Sequence, residues 1–113
     1  MADLEGRVIR AVDLTAPSFR NGFKAIKDAS LREEILSTLR ALLGQNIDTA
    51  PRKWHMHPLT GRDVVSRLDP MKKVAAWSLH VTADDVYKAS FTYEDGGAYF
   101  RNLDTHQVID KRP

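Results

Sequence analysis

Apolar and polar residues alternate through much of the second half of this chain. Leu79 and Val81 alternate with His80, Tyr87, Ala89 and Phe91 with Lys88 and Ser90, and Tyr99 and Arg101 are flanked by Phe100 and Leu103. A period of two is the signature of pleated strands, so residues 77–106 predict strand, turn, strand, turn, strand. Asp95-Gly96-Gly97 supplies the tight hairpin turn, because only residues tolerant of positive φ can join two right-twisted strands so closely.

Upstream, residues 7–14 alternate Val8, Val12 and Leu14 with Arg10 and predict a strand. Pro17 then opens a helix to about residue 29, with Phe19, Phe23 and Ile26 at helical spacing and Gly22 as its weak point. Ser30-Leu-Arg-Glu33 fits a capping box, and Leu31, Ile35, Leu39 and Leu42 continue as an apolar stripe that Gly44 is placed to stop. Residues 45–61, with Pro51, Pro58 and Gly61, predict a loop. Residues 62–68 and 74–81 predict strands around an Asp69-Pro70 turn, and residues 107–113 a short polar tail. These elements predict one α+β domain spanning residues 1–113: an N-terminal strand, a two-helix hairpin, then an antiparallel sheet.

Length and composition agree with one folded domain, since 113 residues with 42% hydrophobic and 28% charged content can bury a core without staples. The start, Met1-Ala-Asp-Leu-Glu, lacks the basic and apolar runs of a signal peptide, and no window approaches the roughly 20 apolar residues of a membrane span. A cytoplasmic protein without membrane contact is therefore expected. The net charge of +2 is unevenly spread. Arg52, Lys53, Arg62, Arg67, Lys72 and Lys73 face only Asp63 and Asp69 across residues 51–73, a basic segment suited either to a polyanion or to a solvated surface.

With no cysteine, and with His55-x-His57 lacking a third ligand nearby, no metal or other cofactor is expected. His57, His80, Asp84 or Asp85, and His106 fall in loops, turns or strand ends of the same hairpin system. Imidazole exchanges protons near neutral pH and a carboxylate orients it or acts as base, so such a set suits general acid–base catalysis if the strands bring it together. The alternative reading is four unrelated surface histidines.

The order of elements, the loop His57-Pro58-Leu59-Thr60-Gly61 and the closing Leu103-Asp104-Thr105-His106 resemble the RelE/ParE superfamily of bacterial toxins. His80-x-x-x-Asp84 is similar to the His and Asp pair of YafQ-type members, and Trp77-Ser78-Leu79 with the segment from Phe91 to Gly96 to HigB-type members. The resemblance implies the toxin of a type II toxin–antitoxin system, a ribosome-dependent mRNA endonuclease in which the substrate's own 2′-OH attacks the adjacent phosphate. It further implies His57, His80, Asp84 and His106 as catalytic residues, Arg101 and the basic segment as RNA-binding, and a cognate antitoxin, the ribosome and mRNA as partners. Thr105 stands where HigB-type members carry a tyrosine, which leaves base stacking to Tyr99 or Trp77. The alternative within the resemblance is a ParE-like gyrase inhibitor or a catalytically inactive binding module.

Overall fold

The computed structural model describes residues 7–113. The chain runs β1 (Ala11–Asp13), α1 (Pro17–Ala25), α2 (Ala29–Ala41), a 3-10 turn (Arg52–Trp54), β2 (His57–Val65), β3 (Lys73–His80), β4 (Tyr87–Glu94), β5 (Gly97–Thr105) and α3 (His106–Lys111). The expected α+β class holds. The five strands lie in the order β1-β5-β4-β3-β2. The sheet is mixed rather than antiparallel throughout, because β1 runs parallel to β5 with Val12 opposite Ala98. Parallel neighbours need a long crossover, and the chain from α1 to β4 supplies it.

Several boundaries differ from the sequence expectations for local reasons. Only Ala11–Asp13 of the expected first strand pairs in the sheet, while Val8 bridges to Asn46. Helix α1 stops at Ala25, and the extended Ile26 turns inward to the core. Helix α2 is capped by Asp28 rather than Ser30, since the Asp28 carboxylate accepts from the amides of Ser30 at 2.8 Å and Leu31 at 3.2 Å. Strand β2 starts at His57, inside the expected loop. It tolerates Pro58 because it is the edge of the sheet, and Gly61, at φ +74°, lies in the register shift between Pro58 and Asp63. The β4–β5 turn takes positive φ at both Asp95 (50°) and Gly96 (83°), as a two-residue type I′ hairpin requires.

The two sheet faces differ in chemistry. Trp77, Phe91 and Phe100 are cross-strand partners on one face, with Leu79, Ala89 and Leu103 in the next row. They form one core with Phe19, Ile35 and Leu39 of the helices, and burial of each large side chain contributes about 1.5–3 kcal/mol. The opposite face carries the rows Ser78, Ser90, Asn102 and His80, Lys88, Asp104. Residues 107–113 are not a free polar tail: α3 buries Ile109, Lys88 reaches Asp110, and the Ser90 hydroxyl donates to the Pro113 carbonyl oxygen at 2.7 Å. No helix among the described residues is long and apolar enough to cross a membrane.

Gly22 lets α1 lie directly on β5, because a Cβ there would sit 2.2 Å from the Leu103 carbonyl oxygen. Helix propensity alone favours alanine over glycine by about 1 kcal/mol. Gly22→Ala is nonetheless expected to destabilise by about 1–3 kcal/mol, because the helix must lift off the strand. Urea unfolding measures this, and a more stable variant would contradict the packing.

Candidate functional site

The ends of four elements bring all four histidines of the chain to one end of the polar face. The 3-10 turn closes on His55, which takes the left-handed conformation at φ 47°. His57 opens β2, His80 ends β3 and His106 opens α3 directly after β5. The His55 and His80 rings stack with centroids 4.7 Å apart, and His106 meets His80 edge-on at 5.4 Å. His57 pairs across the sheet with Ser78, next to this group, and its Nδ1 lies 3.1 Å from the Pro58 carbonyl oxygen.

Two of these three contacting rings, His80 and His106, are each held by a carboxylate. His80 Nδ1 lies 2.6 Å from Asp85 Oδ1, and His106 Nδ1 lies 3.1 Å from Asp110 Oδ2 one helical turn away. Both contacts leave Nε2 as the nitrogen available for proton exchange. The carboxylate that reaches His80 is therefore Asp85, not Asp84. Asp84 is spent on its own turn, accepting from the Thr82 hydroxyl at 2.6 Å and the Val86 amide at 3.0 Å, and these bonds hold its carboxyl below the usual range. Asp85 takes positive φ (61°), which turns its side chain back toward β3.

Lys88 completes the group. Its side chain is only 3% exposed and its ammonium lies 2.8 Å from Asp110 Oδ1. Burial pushes the Asp110 carboxyl up, but the Lys88 hydrogen bond and the charges of Lys88, His106 and His57 outweigh it and hold the group below its ordinary value. Beside His80 and Asp85 opens a cavity of about 270 Å³ that Glu34, Thr38, Lys53 and Trp54 also line. Among the described residues no three His, Asp or Glu side chains are arranged to hold a metal ion.

The basic residues singled out in the sequence do not form one patch. Arg52 and Lys53 are exposed on the 3-10 turn beside the histidines, whereas Arg62, Lys72 and Lys73 are exposed along the β2–β3 hairpin. Arg67 is partly committed to the fold, paired with Asp13 at 3.2 Å and lying over the Tyr99 ring at 5.4 Å. It lines a second cavity with Arg101, whose guanidinium is lowered in pKa by burial and by the charge of Arg67. Neither expected stacking aromatic is free: Trp77 is buried beneath the Arg7 guanidinium, and Tyr99 is half-buried under Arg67.

Sequence reasoning missed His55 as a neighbour of His80, and it missed Lys88 and Asp110 altogether. The signals were present: Lys88 holds a polar-face position between two apolar ones, and His106-x-x-x-Asp110 is the i,i+4 spacing that puts two side chains on one helix face. No family model, curated protein or solved structure matches this chain.

A carboxylate whose pKa is depressed on folding stabilises the native state above its unfolded value, and this contribution is lost as pH falls through the lower folded value. Asp110 is such a group, so acidification below about pH 4 should weaken the fold. Lys88→Met removes the main source of the depression and is expected to flatten that acid dependence. Urea unfolding across a pH series checks this, and an unchanged slope in the variant would contradict the Lys88–Asp110 assignment.

Proposed function

We propose that this protein is a metal-independent endoribonuclease that cleaves mRNA on the ribosome, as the toxin of a type II toxin–antitoxin pair. The observation that carries the reading is the pair of touching imidazoles, His80 and His106, each held through Nδ1 by a carboxylate. RNA cleavage by its own 2′-OH needs one group to remove a proton and another to supply one, which typically contributes about 10² to 10⁴ in rate. His80, oriented by Asp85, accepts the 2′-OH proton as the 2′-oxygen bonds to phosphorus. His106 donates a proton to the departing 5′-oxygen as the P–O bond breaks. The products are a 2′,3′-cyclic phosphate and a 5′-hydroxyl. Lys88 and His57 stabilise the charge that gathers on the phosphoryl oxygens.

The choice of substrate rests on the resemblance to YafQ- and HigB-type toxins, and the order strand, two helices, four strands supports that resemblance. The ribosome would hold the mRNA in reactive geometry, a contribution that can reach several kcal/mol. Arg52 and Lys53 are exposed on the 3-10 turn that closes on His55, and Arg62, Lys72 and Lys73 extend along the hairpin, where they suit ribosomal RNA phosphate. An antitoxin helix fits the groove lined by Leu14, Phe19, Phe23 and Leu36, whose flanking Arg20 and Lys24 favour acidic residues on its rim.

In a reconstituted translation system the protein is expected to cut mRNA and leave 5′-hydroxyl ends. His80→Ala and His106→Ala should each lower the rate by about 10² or more. Asp85→Asn should reduce cleavage, while Asp84→Asn, which keeps an oxygen for its turn, should retain it. End mapping checks the chemistry. Cutting with 5′-phosphate ends, or intact mRNA together with inhibited gyrase, would contradict this reading.

A further inference from the structure

We propose that the cavity beside His80 is a guanine-binding pocket, which receives the base of the nucleotide upstream of the cut and reads its edge with Glu34 and Lys53. The inference rests on the endonuclease reading and adds base selection to the same site. The 2′-oxygen that His80 deprotonates sits on a ribose carbon bonded to the one that carries the base, so that base lies only a few bonds from the imidazole. His80 and Asp85 form one side of the cavity, and its volume of about 270 Å³ approaches the roughly 300 Å³ at which small-ligand clefts begin. Trp54, Val81 and Ala83 supply apolar wall against which a flat ring can lie.

The polar groups of the cavity select the base. Glu34 Oε2 accepts from the Ala83 amide at 2.7 Å and Asp85 Oδ1 takes the contact with His80, so each carboxylate keeps acceptor capacity on its second oxygen. The hydroxyls of Thr38 and Thr82 already donate, to the Val81 carbonyl oxygen and to Asp84. Two carboxylates against one ammonium, that of Lys53, suit the cavity poorly to phosphate and well to a neutral group rich in N–H donors. Among the bases of RNA only guanine sets two neighbouring donors, N1–H and the 2-amino group, on its Watson–Crick edge, a pattern that the two oxygens of one carboxylate accept together. Each carboxylate oxygen has two lone pairs, so Glu34 takes both donors without releasing Ala83. Guanine O6 follows N1–H on the same edge and is an acceptor that lysine contacts; Lys53 lies over the Trp54 ring at 5.8 Å, on the cavity wall. Adenine and cytosine present one amino group beside a ring acceptor, and uracil a single donor.

The test compares binding of guanosine, inosine and adenosine 3′-monophosphates to the full chain by isothermal titration calorimetry. The three share ribose and phosphate, so differences among them report the base. Inosine lacks only the 2-amino group and is expected to bind about tenfold more weakly than guanosine, and adenosine about a hundredfold, because each leaves carboxylate acceptors unpaired. Glu34→Gln keeps an oxygen for the Ala83 amide but turns an N–H toward the guanine donors, so it should bring the three nucleotides to similar affinity. On ribosomes, cuts by the unaltered protein should fall after guanosine, and Glu34→Gln should lose that preference. Equal affinity of the unaltered protein for the three nucleotides, or an unchanged order in Glu34→Gln, would overturn the proposal. The binding results do not depend on cleavage: guanine selection with intact mRNA would remove the endonuclease reading and leave the pocket, whereas mRNA cut without guanine selection would remove the pocket alone.

Discussion

The polar face of the sheet is organised by one buried ammonium. Lys88 projects from β4, the middle strand in the order β1-β5-β4-β3-β2, into a setting that excludes almost all water. A desolvated cation there must have an anion within hydrogen-bonding distance, since the cost of leaving it unpaired is several kcal/mol. Asp110 is that anion. The pairing draws α3 across the sheet, and because α3 opens at His106, the same contact fixes the second imidazole of the site against His80. Asp110 touches both Lys88 and His106, so one carboxylate links packing to proton chemistry.

The opposite face makes this arrangement affordable in stability. Phe91, Phe100, Leu79 and Trp77 are sealed beneath α1 and α2, and β1 closes the far edge by pairing with β5. That apolar layer carries the fold, so the polar layer can retain serines, histidines and a lysine at strand positions that core packing would otherwise fill with apolar side chains. Glu94 shows the same division at the other end of the sheet. It accepts from Thr92 at 2.8 Å, the Arg67 amide at 2.9 Å and the Ser66 hydroxyl, and so clasps the β2–β3 connection. Burial pushes its carboxyl up, and those hydrogen bonds bring it below its ordinary range.

The sequence made the apolar layer legible because it obeys local rules. The leucine stripe of α2, the alternation in β4 and the Asp95-Gly96 turn each announce their structure within a few residues. Gly22 reads as a flaw in a helix until Leu103, 81 positions away, comes to lie against it. Asp28 and Ser30 are both good caps at this spacing, and only the path of the chain from Ile26 selects the first. Strand β2 was hidden for a different reason: Pro58 and Gly61 are strand breakers in a central strand but not on an edge with a register shift. Within the site, the convergence of His57, His80 and His106 followed from placing them at ends of adjoining elements. The choice of Asp85 over Asp84 depended on backbone conformation in a turn, which leaves no trace in residue spacing; alternation placed Lys88 on the polar face, but its role depended on that face being covered by α3.

In the proposed mechanism His106 supplies a proton to the leaving oxygen while His80 removes one from the 2′-OH. The most direct measurement is single-turnover cleavage, on ribosomes, of an mRNA carrying sulfur in place of the bridging 5′-oxygen at the scissile position. A thiolate leaves without help from an acid, because its conjugate thiol is far more acidic than an alcohol. His106→Ala is expected to cleave this substrate at close to the rate of the unaltered protein, while His80→Ala remains slow on both substrates. An His106→Ala defect as large with sulfur as with oxygen would contradict the assignment of His106 as the acid and, with it, the two-imidazole mechanism.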